Sequence, residues 1–268
     1  MSHTLDITFF TAAFAVYILA LALFLIRSAT RRPLWGWLGV AATAVGFVLQ
    51  TAALIIRWHL SGHPPLASMF EYASVMSWMA AGSLAILVGR TRRFEVGSYV
   101  SPLIIAMMAI ASLLPREIEQ QLVPALQSYW LQIHVSMAAL AEGAFALACG
   151  LAIAYLIKAR RGRATPEELE RLDGLNHRVI SIGYPLFTLG ALFAGAIWAY
   201  NAWGTFWSWD PKEVGSWIIW LFYTGYLHAR HRRGWRGRRA AVLSIIGFAM
   251  VILSFVGNLF LGGQHSYG

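Results

Sequence analysis

Residues 178–230 read RVISIGYPLFTLGALFAGAIWAYNAWGTFWSWDPKEVGSWIIWLFYTGYLHAR, two long apolar runs joined by a short aromatic connection and bounded by arginine at both ends. A hydrocarbon layer about 30 Å thick is crossed by roughly 20 residues of helix, which is the scale of each run. Neither run alternates in polarity as a barrel wall would, so helices are expected. The pattern repeats along the chain, with segments at residues 7–26, 34–56, 68–89, 96–114, 129–157, 178–199, 214–230 and 240–261. With 58% hydrophobic residues, 12% charged residues and a mean hydropathy of +0.59, a water-facing globule is excluded. The fold expected is an all-α, polytopic membrane bundle of about eight transmembrane helices, forming one domain over residues 1–268.

The cations set an orientation. Eighteen of the 21 Lys and Arg residues fall in the connections after the first, third, fifth and seventh segments, leaving only Arg57, Arg116 and Lys212 on the other side. The positive-inside rule then places both termini and the aromatic connection outside the cytoplasm. The net charge of +9 therefore reports topology, and arginines divided among four short loops do not make a nucleic-acid surface. Met1 to Asp6 holds no cation, whereas Arg27, Arg31 and Arg32 follow the first apolar run, so that run reads as a retained helix and not as a cleaved leader. The lone Cys149 excludes an internal disulfide. Thr165-Pro166-Glu167-Glu168 reads as the capped start of a short cytoplasmic helix, and residues 115–128 as a connection with an amphipathic run at the membrane surface.

Within the aromatic connection, Trp203, Phe206, Trp207 and Trp209 crowd into seven residues. A belt of interfacial tryptophans spreads over many helix ends, but here the rings converge on one loop and offer a shelf for a large flat ligand. Asp210-Pro211-Lys212-Glu213 is a capping box for the following helix, so Asp210 is expected to fix the shelf's angle. His134, near the outer end of the fifth segment, and His265, just beyond the last, lie at the level of the shelf, while His228 lies at the inner end of the seventh segment. Imidazoles at one level beside an apolar shelf suit haem iron, and Arg57 and Lys212 are the outer cations suited to its propionates. His59 and His63 add outer imidazoles, His231 sits among arginines, and His177 is left unassigned. Glu71 lies in the first turn of the third helix; Glu142, with no Lys or Arg at its depth, is expected to be protonated or hydrogen-bonded.

The WGTFWSWDPKE stretch, with ISIGYPLFTLGALFAGAIWA before it, WIIWLFYTGYLHAR and GNLFLGGQHSYG after it, and SGHPPLASMFEYASVMSW upstream, resembles the CcsA/ResC proteins of system II cytochrome c biogenesis. These belong to the haem-handling family named for its tryptophan-rich WWD signature, and the resemblance covers about residues 57–268. It implies that His134 and His265 are outer haem ligands, that Trp203, Trp207, Trp209 and Asp210 form the shelf, and that His228 is half of an inner site completed by a CcsB/ResB-type membrane subunit. It implies non-covalent, transient haem b, an apocytochrome c with a CxxCH motif, a thiol-reducing protein, and cytochrome c synthase activity for the complex. The membrane is then a bacterial inner membrane or a thylakoid. Ala67-Ser68-Met69-Phe70-Glu71 departs from the family's polar-aromatic run, and His177 lies outside its pattern. A CcmC-like exporter that passes haem to a chaperone and a bis-histidine membrane electron carrier are the alternatives; a CcsB-like partner co-purifying separates the first, a pair of ligated haems the second.

Overall fold

A computed structural model describes residues 5–118, 120–162 and 164–261, and every regular element among them is helical. The helices are α1 (Leu5–Thr30), α2 (Pro33–Ser61), α3 (Met69–Thr91), α4 (Gly97–Ser112), α5 (Tyr129–Arg161), α6 (Pro166–Phe187), α7 (Gly195–Trp203), α8 (Pro211–Arg232) and α9 (Arg238–Phe260). A π-helical turn, Thr188–Ala194, joins α6 to α7 without a break, so the two form one rod, Pro166–Trp203. Seven of these stretches are long and apolar enough to cross a membrane, making this a multi-pass membrane protein. The eighth expected span, residues 214–230 within α8, is long enough but falls outside the seven, because Trp, Tyr, His and Arg side chains lower its hydropathy.

Two compact units make up the chain, Met1–Leu122 and Val123–Gly268. In the first, α1 buries Asp6, Phe10, Ala13, Tyr17, Ala20 and Phe24, and α2 buries Gly36, Gly39, Thr43, Gly46, Gln50, Ala53 and Arg57. Both series alternate steps of three and four, the signature of a seam between two long helices. Bulk on α1 meets glycine on α2: a Cβ at Gly39 would lie 2.7 Å from the Phe24 ring, and one at Gly46 2.6 Å from Tyr17. Apolar tails solvate Leu as well as another helix does, so close approach at small residues is what holds such a pair. Polar groups add direction. Tyr17 donates to the Gln50 side chain at 2.8 Å, and Gln50 Nε2 donates to the Ser74 carbonyl and the Ser77 hydroxyl, both at 2.9 Å, drawing α3 onto the hairpin.

One end of this unit is closed by a buried charge cluster. Arg57, 2% exposed, donates to Glu71 at 2.6 Å, Asp6 at 3.1 Å and the carbonyls of Arg116 and Glu117 at 3.1 and 2.6 Å, with Phe70 beneath its guanidinium. Glu71 also closes a capping box with Ser68 at the start of α3. Arginine suits this place because its planar fork donates in several directions at once.

In the second unit, α5 is the central helix, packed by the rod and by α9, with α8 reaching it through Tyr223, whose ring stacks on Phe145 at 3.8 Å. Asn176 is the hub away from the tryptophan loop: it donates to Ala148 O at 2.7 Å and Ser244 Oγ at 2.9 Å, and accepts from Tyr226 at 2.9 Å. Nearby, Asp173 takes a two-pronged bond from Arg230 at 2.6 and 2.7 Å and the Gly237 amide at 2.9 Å. The expected cap at Thr165 forms, its hydroxyl accepting from Glu168 N at 3.2 Å, but the helix it starts does not stop short of the membrane segment. Nothing between residues 166 and 187 breaks the helix until the π turn. The amphipathic run expected within residues 115–128 is also absent among the described residues, where the one regular element is a 3-10 turn, Pro124–Leu126, started by proline.

Candidate functional site

His134 lies in the second turn of α5, half-buried, with its ring laid against the rod. Nδ1 stands 2.9 Å from the Gly190 carbonyl. A carbonyl only accepts, so Nδ1 carries the proton, and in the neutral imidazole Nε2 keeps its lone pair. The ring stacks on Trp198, with centroids 5.8 Å apart and planes within 9°, and Trp198 is itself fixed by donating to Ala125 O at 2.7 Å. Gly195 borders the other edge: a Cβ there would fall 2.8 Å from His134 Nδ1. Trp203 meets Trp198 edge-on at 4.8 Å, carrying the aromatic surface from His134 to the end of α7.

The loop that follows displays its rings. Phe206 stacks on Tyr200 at 4.4 Å, and Trp207, Trp209 and Trp217 form an edge-to-face series with centroids 5.8 and 6.4 Å apart. Trp209 is 68% exposed and adopts φ 62°, the left-handed region that a bulky side chain seldom occupies. Beside it Asp210 is buried and closes the expected capping box: its carboxylate accepts from Lys212 N at 3.0 Å, while Glu213 accepts from the amides of Ser208 at 2.7 Å and Asp210 at 3.3 Å. The seven residues of irregular backbone between α7 and α8 are thereby tied to the first turn of α8, which fixes the angle at which the indoles are offered.

Lys212 is half-buried, and its ammonium lies within electrostatic reach of both Asp210 and Glu142. Glu142, read from segment depth as having no Lys or Arg beside it, thus lies within electrostatic reach of Lys212. His228 is exposed, 17 residues along α8 from Pro211, or about 25 Å of helix, so it belongs to the far end of this unit. There His177 and His231 meet edge to face at 5.4 Å, and His231 Nδ1 donates to Leu227 O at 2.9 Å. Arg57, expected to pair with a propionate, donates to Asp6, Glu71 and two carbonyls of the first unit. In that unit His59 is exposed and His63 bonds the Pro64 carbonyl at 3.0 Å. His265 lies outside the described residues.

His134, Trp198 and Trp203 are thus one cluster, and Trp207, Trp209, Asp210 and Lys212 gather around the start of α8. Trp198 was not singled out from the sequence, since it reads as one more apolar residue of a span. Its only signal is a tryptophan five residues before the signature, on the same helix as Trp203. Among the described residues no group of three or more His, Cys, Asp or Glu side chains converges as a metal site, and a single imidazole whose Nε2 is the acceptor nitrogen, beside flat aromatic surface, suits an iron already held in a macrocycle.

The model of the cytochrome C assembly protein family matches residues 66–265. The cytochrome c biogenesis protein CcsA of Guillardia theta is 37% identical over 259 residues, covering 87% of this chain and 86% of its own. CcsA of Gloeobacter violaceus is 33% identical over 319 residues, covering 96% and 94%. Among solved structures, cytochrome c heme lyase CcmF superposes with a TM-score of 0.77 at 18% identity, covering 98% of this chain and 49% of that one, a likeness of fold.

Proposed function

The chain belongs to the cytochrome c assembly family, among the CcsA cytochrome c biogenesis proteins, and from that premise we propose that it delivers haem to the outer face of the membrane and presents it for covalent attachment to an apocytochrome c. The observation that carries this reading is the fixed His134 imidazole, whose Nδ1 donates to Gly190 O and thereby makes Nε2 the acceptor nitrogen, next to indoles exposed at the end of the bundle.

In this reading haem b is cargo, held by ligation, stacking and ion pairing alone. The chain has no CxxCH of its own, and Cys149 is buried in α5, so no thioether can tether the macrocycle here. Bound haem supplies an iron that takes two axial imidazoles and vinyl groups that accept the thiols of the apocytochrome's CxxCH. The protein supplies position. His134 and His265 hold the iron from two sides; Trp203, Trp207 and Trp209 bear on the macrocycle; Asp210 holds the loop; and Lys212 is the cation available to a propionate. Orientation of this kind converts an encounter of three reactants into a nearly unimolecular step, worth several orders of magnitude in rate. His228, at the other end of α8, contributes to an inner site shared with a CcsB/ResB-type subunit, and the complex acts as the cytochrome c synthase, with a thiol-reducing protein keeping the CxxCH thiols free. The tryptophan loop and both termini face away from the cytoplasm, and the chain works as a single haem-handling domain.

The visible spectrum of the complex purified with its partner tests the assignment. His134→Ala is expected to abolish the Soret band of the outer site or its reducibility, and unchanged spectra with normal cytochrome c yield would refute the ligand role. His228→Ala is expected to lower haem loading; full occupancy in that variant overturns the inner-site role.

A further inference from the structure

A π turn replaces each i→i+4 bond with an i→i+5 bond by accommodating one extra residue, at a cost in packing that makes such turns rare and frequently functional. Here the Gly195 amide bonds the Gly190 carbonyl across Thr188–Ala194, and the same oxygen accepts the His134 Nδ1–H at 2.9 Å. Both acceptor lone pairs of Gly190 O are thus used, one to hold the wide turn and one to hold the imidazole.

The extra residue also corrects a register. Gly183 and Gly190 are seven residues apart, two turns of α-helix, and share a face. Cβ atoms added to them would meet Phe145 at 2.9 Å and Met137 at 2.3 Å, both on α5. In a continuous α-helix Gly195 would stand about 140° around the rod from Gly190 and off that face. With the π turn it faces α5 as well, where an added Cβ would meet His134 Nδ1 at 2.8 Å and Cε1 at 2.9 Å. Trp198, three residues further, then lies parallel to the same ring.

We infer that the π turn is a device for setting the tautomer, plane and donor strength of His134, with Gly190 and Gly195 as positioning residues; this rests on the reading of His134 as an iron ligand. An imidazole that donates Nδ1–H to a carbonyl is a stronger base at Nε2, as in the outer shells of many metal sites. A stronger axial donor favours ferric over ferrous iron. The turn therefore contributes to the reduction potential of the haem that this chain presents, and the gap left by the missing Cβ of Gly195 is where the ring sits.

The test compares four forms of the complex with its partner: wild type, Gly195→Ala, His134→Gly, and the double variant His134→Gly/Gly195→Ala, the last two with and without added imidazole. Gly195→Ala is expected to retain haem with an upward shift of its reduction potential and altered low-spin ferric EPR g values, since its methyl displaces the ring from Gly190 O. His134→Gly is expected to need added imidazole for its outer-site Soret band. In that background the added imidazole is not tethered to α5 and can shift away from the methyl, so the double variant with imidazole should match the single His134→Gly variant in loading and potential, even if Gly195→Ala alone accumulates poorly. Unchanged potential and g values in Gly195→Ala, or a double variant worse than His134→Gly with imidazole, overturn the inference while leaving His134 a ligand. A full outer-site Soret band in His134→Gly without imidazole removes the ligand reading and this inference with it.

Discussion

At the residue scale the chain relies on side chains that satisfy several partners at once. Asp210 caps α8 and holds the loop that bears Trp207 and Trp209. Asp210→Ala should cost about 1 kcal/mol, the usual value of a lost helix cap, and lower haem retention more than thermal stability, read by comparing Soret intensity with the unfolding midpoint in detergent. Asp210→Asn, which still accepts a hydrogen bond, should retain most of both. Arg57 satisfies two carboxylates and two carbonyls. Arg57→Met strands Asp6 and Glu71 in an apolar setting and should destabilise the protein by about 3–5 kcal/mol, visible as loss of folded protein on extraction. The capping box was legible in the sequence because its four residues are consecutive. Arg57's partners were not, because Asp6, Glu71 and residues 116–117 become neighbours only when four segments pack. Lys212 and Glu142 escaped for a related reason: depth counted along a helix locates a Cα, whereas a lysine carries its charge several bonds away.

At the element scale, long apolar runs fixed where helices lie, and the caps at Thr165 and Asp210 fixed where two begin. Runs of this kind say little about how helices face each other. The α1–α2 seam becomes visible only as bulk opposite glycine. Gly46→Val should drive a methyl into Tyr17 and destabilise the first unit by about 1–3 kcal/mol. Tyr17→Ala in the same chain should return part of that loss, a coupling that a double-mutant cycle by thermal unfolding would measure. The continuous rod was misjudged because residues 158–177 are polar enough to pass for a separate helix. The π turn left only a five-residue glycine spacing, in a span where glycine is common, as its trace.

At the scale of the whole molecule, the distribution of cations predicts which ends of the helices face the cytoplasm. Thr205 and Arg236 are both exposed, and the native Cys149 is buried. In intact cells a membrane-impermeant maleimide should therefore label Thr205→Cys and spare Arg236→Cys; the reverse pattern would invert the topology. The global balance of stability also bears on Trp209, a bulky residue held in left-handed backbone with its ring mostly uncovered. Such a conformation costs about 1 kcal/mol, and glycine would relieve it. Trp209→Gly is therefore expected to raise the unfolding midpoint of the empty protein while weakening its hold on haem. Sturdiness and usefulness are opposed at this one position: a polypeptide selected only to endure would have no reason to keep an indole there, and under the proposed function the loop is furniture for a visitor.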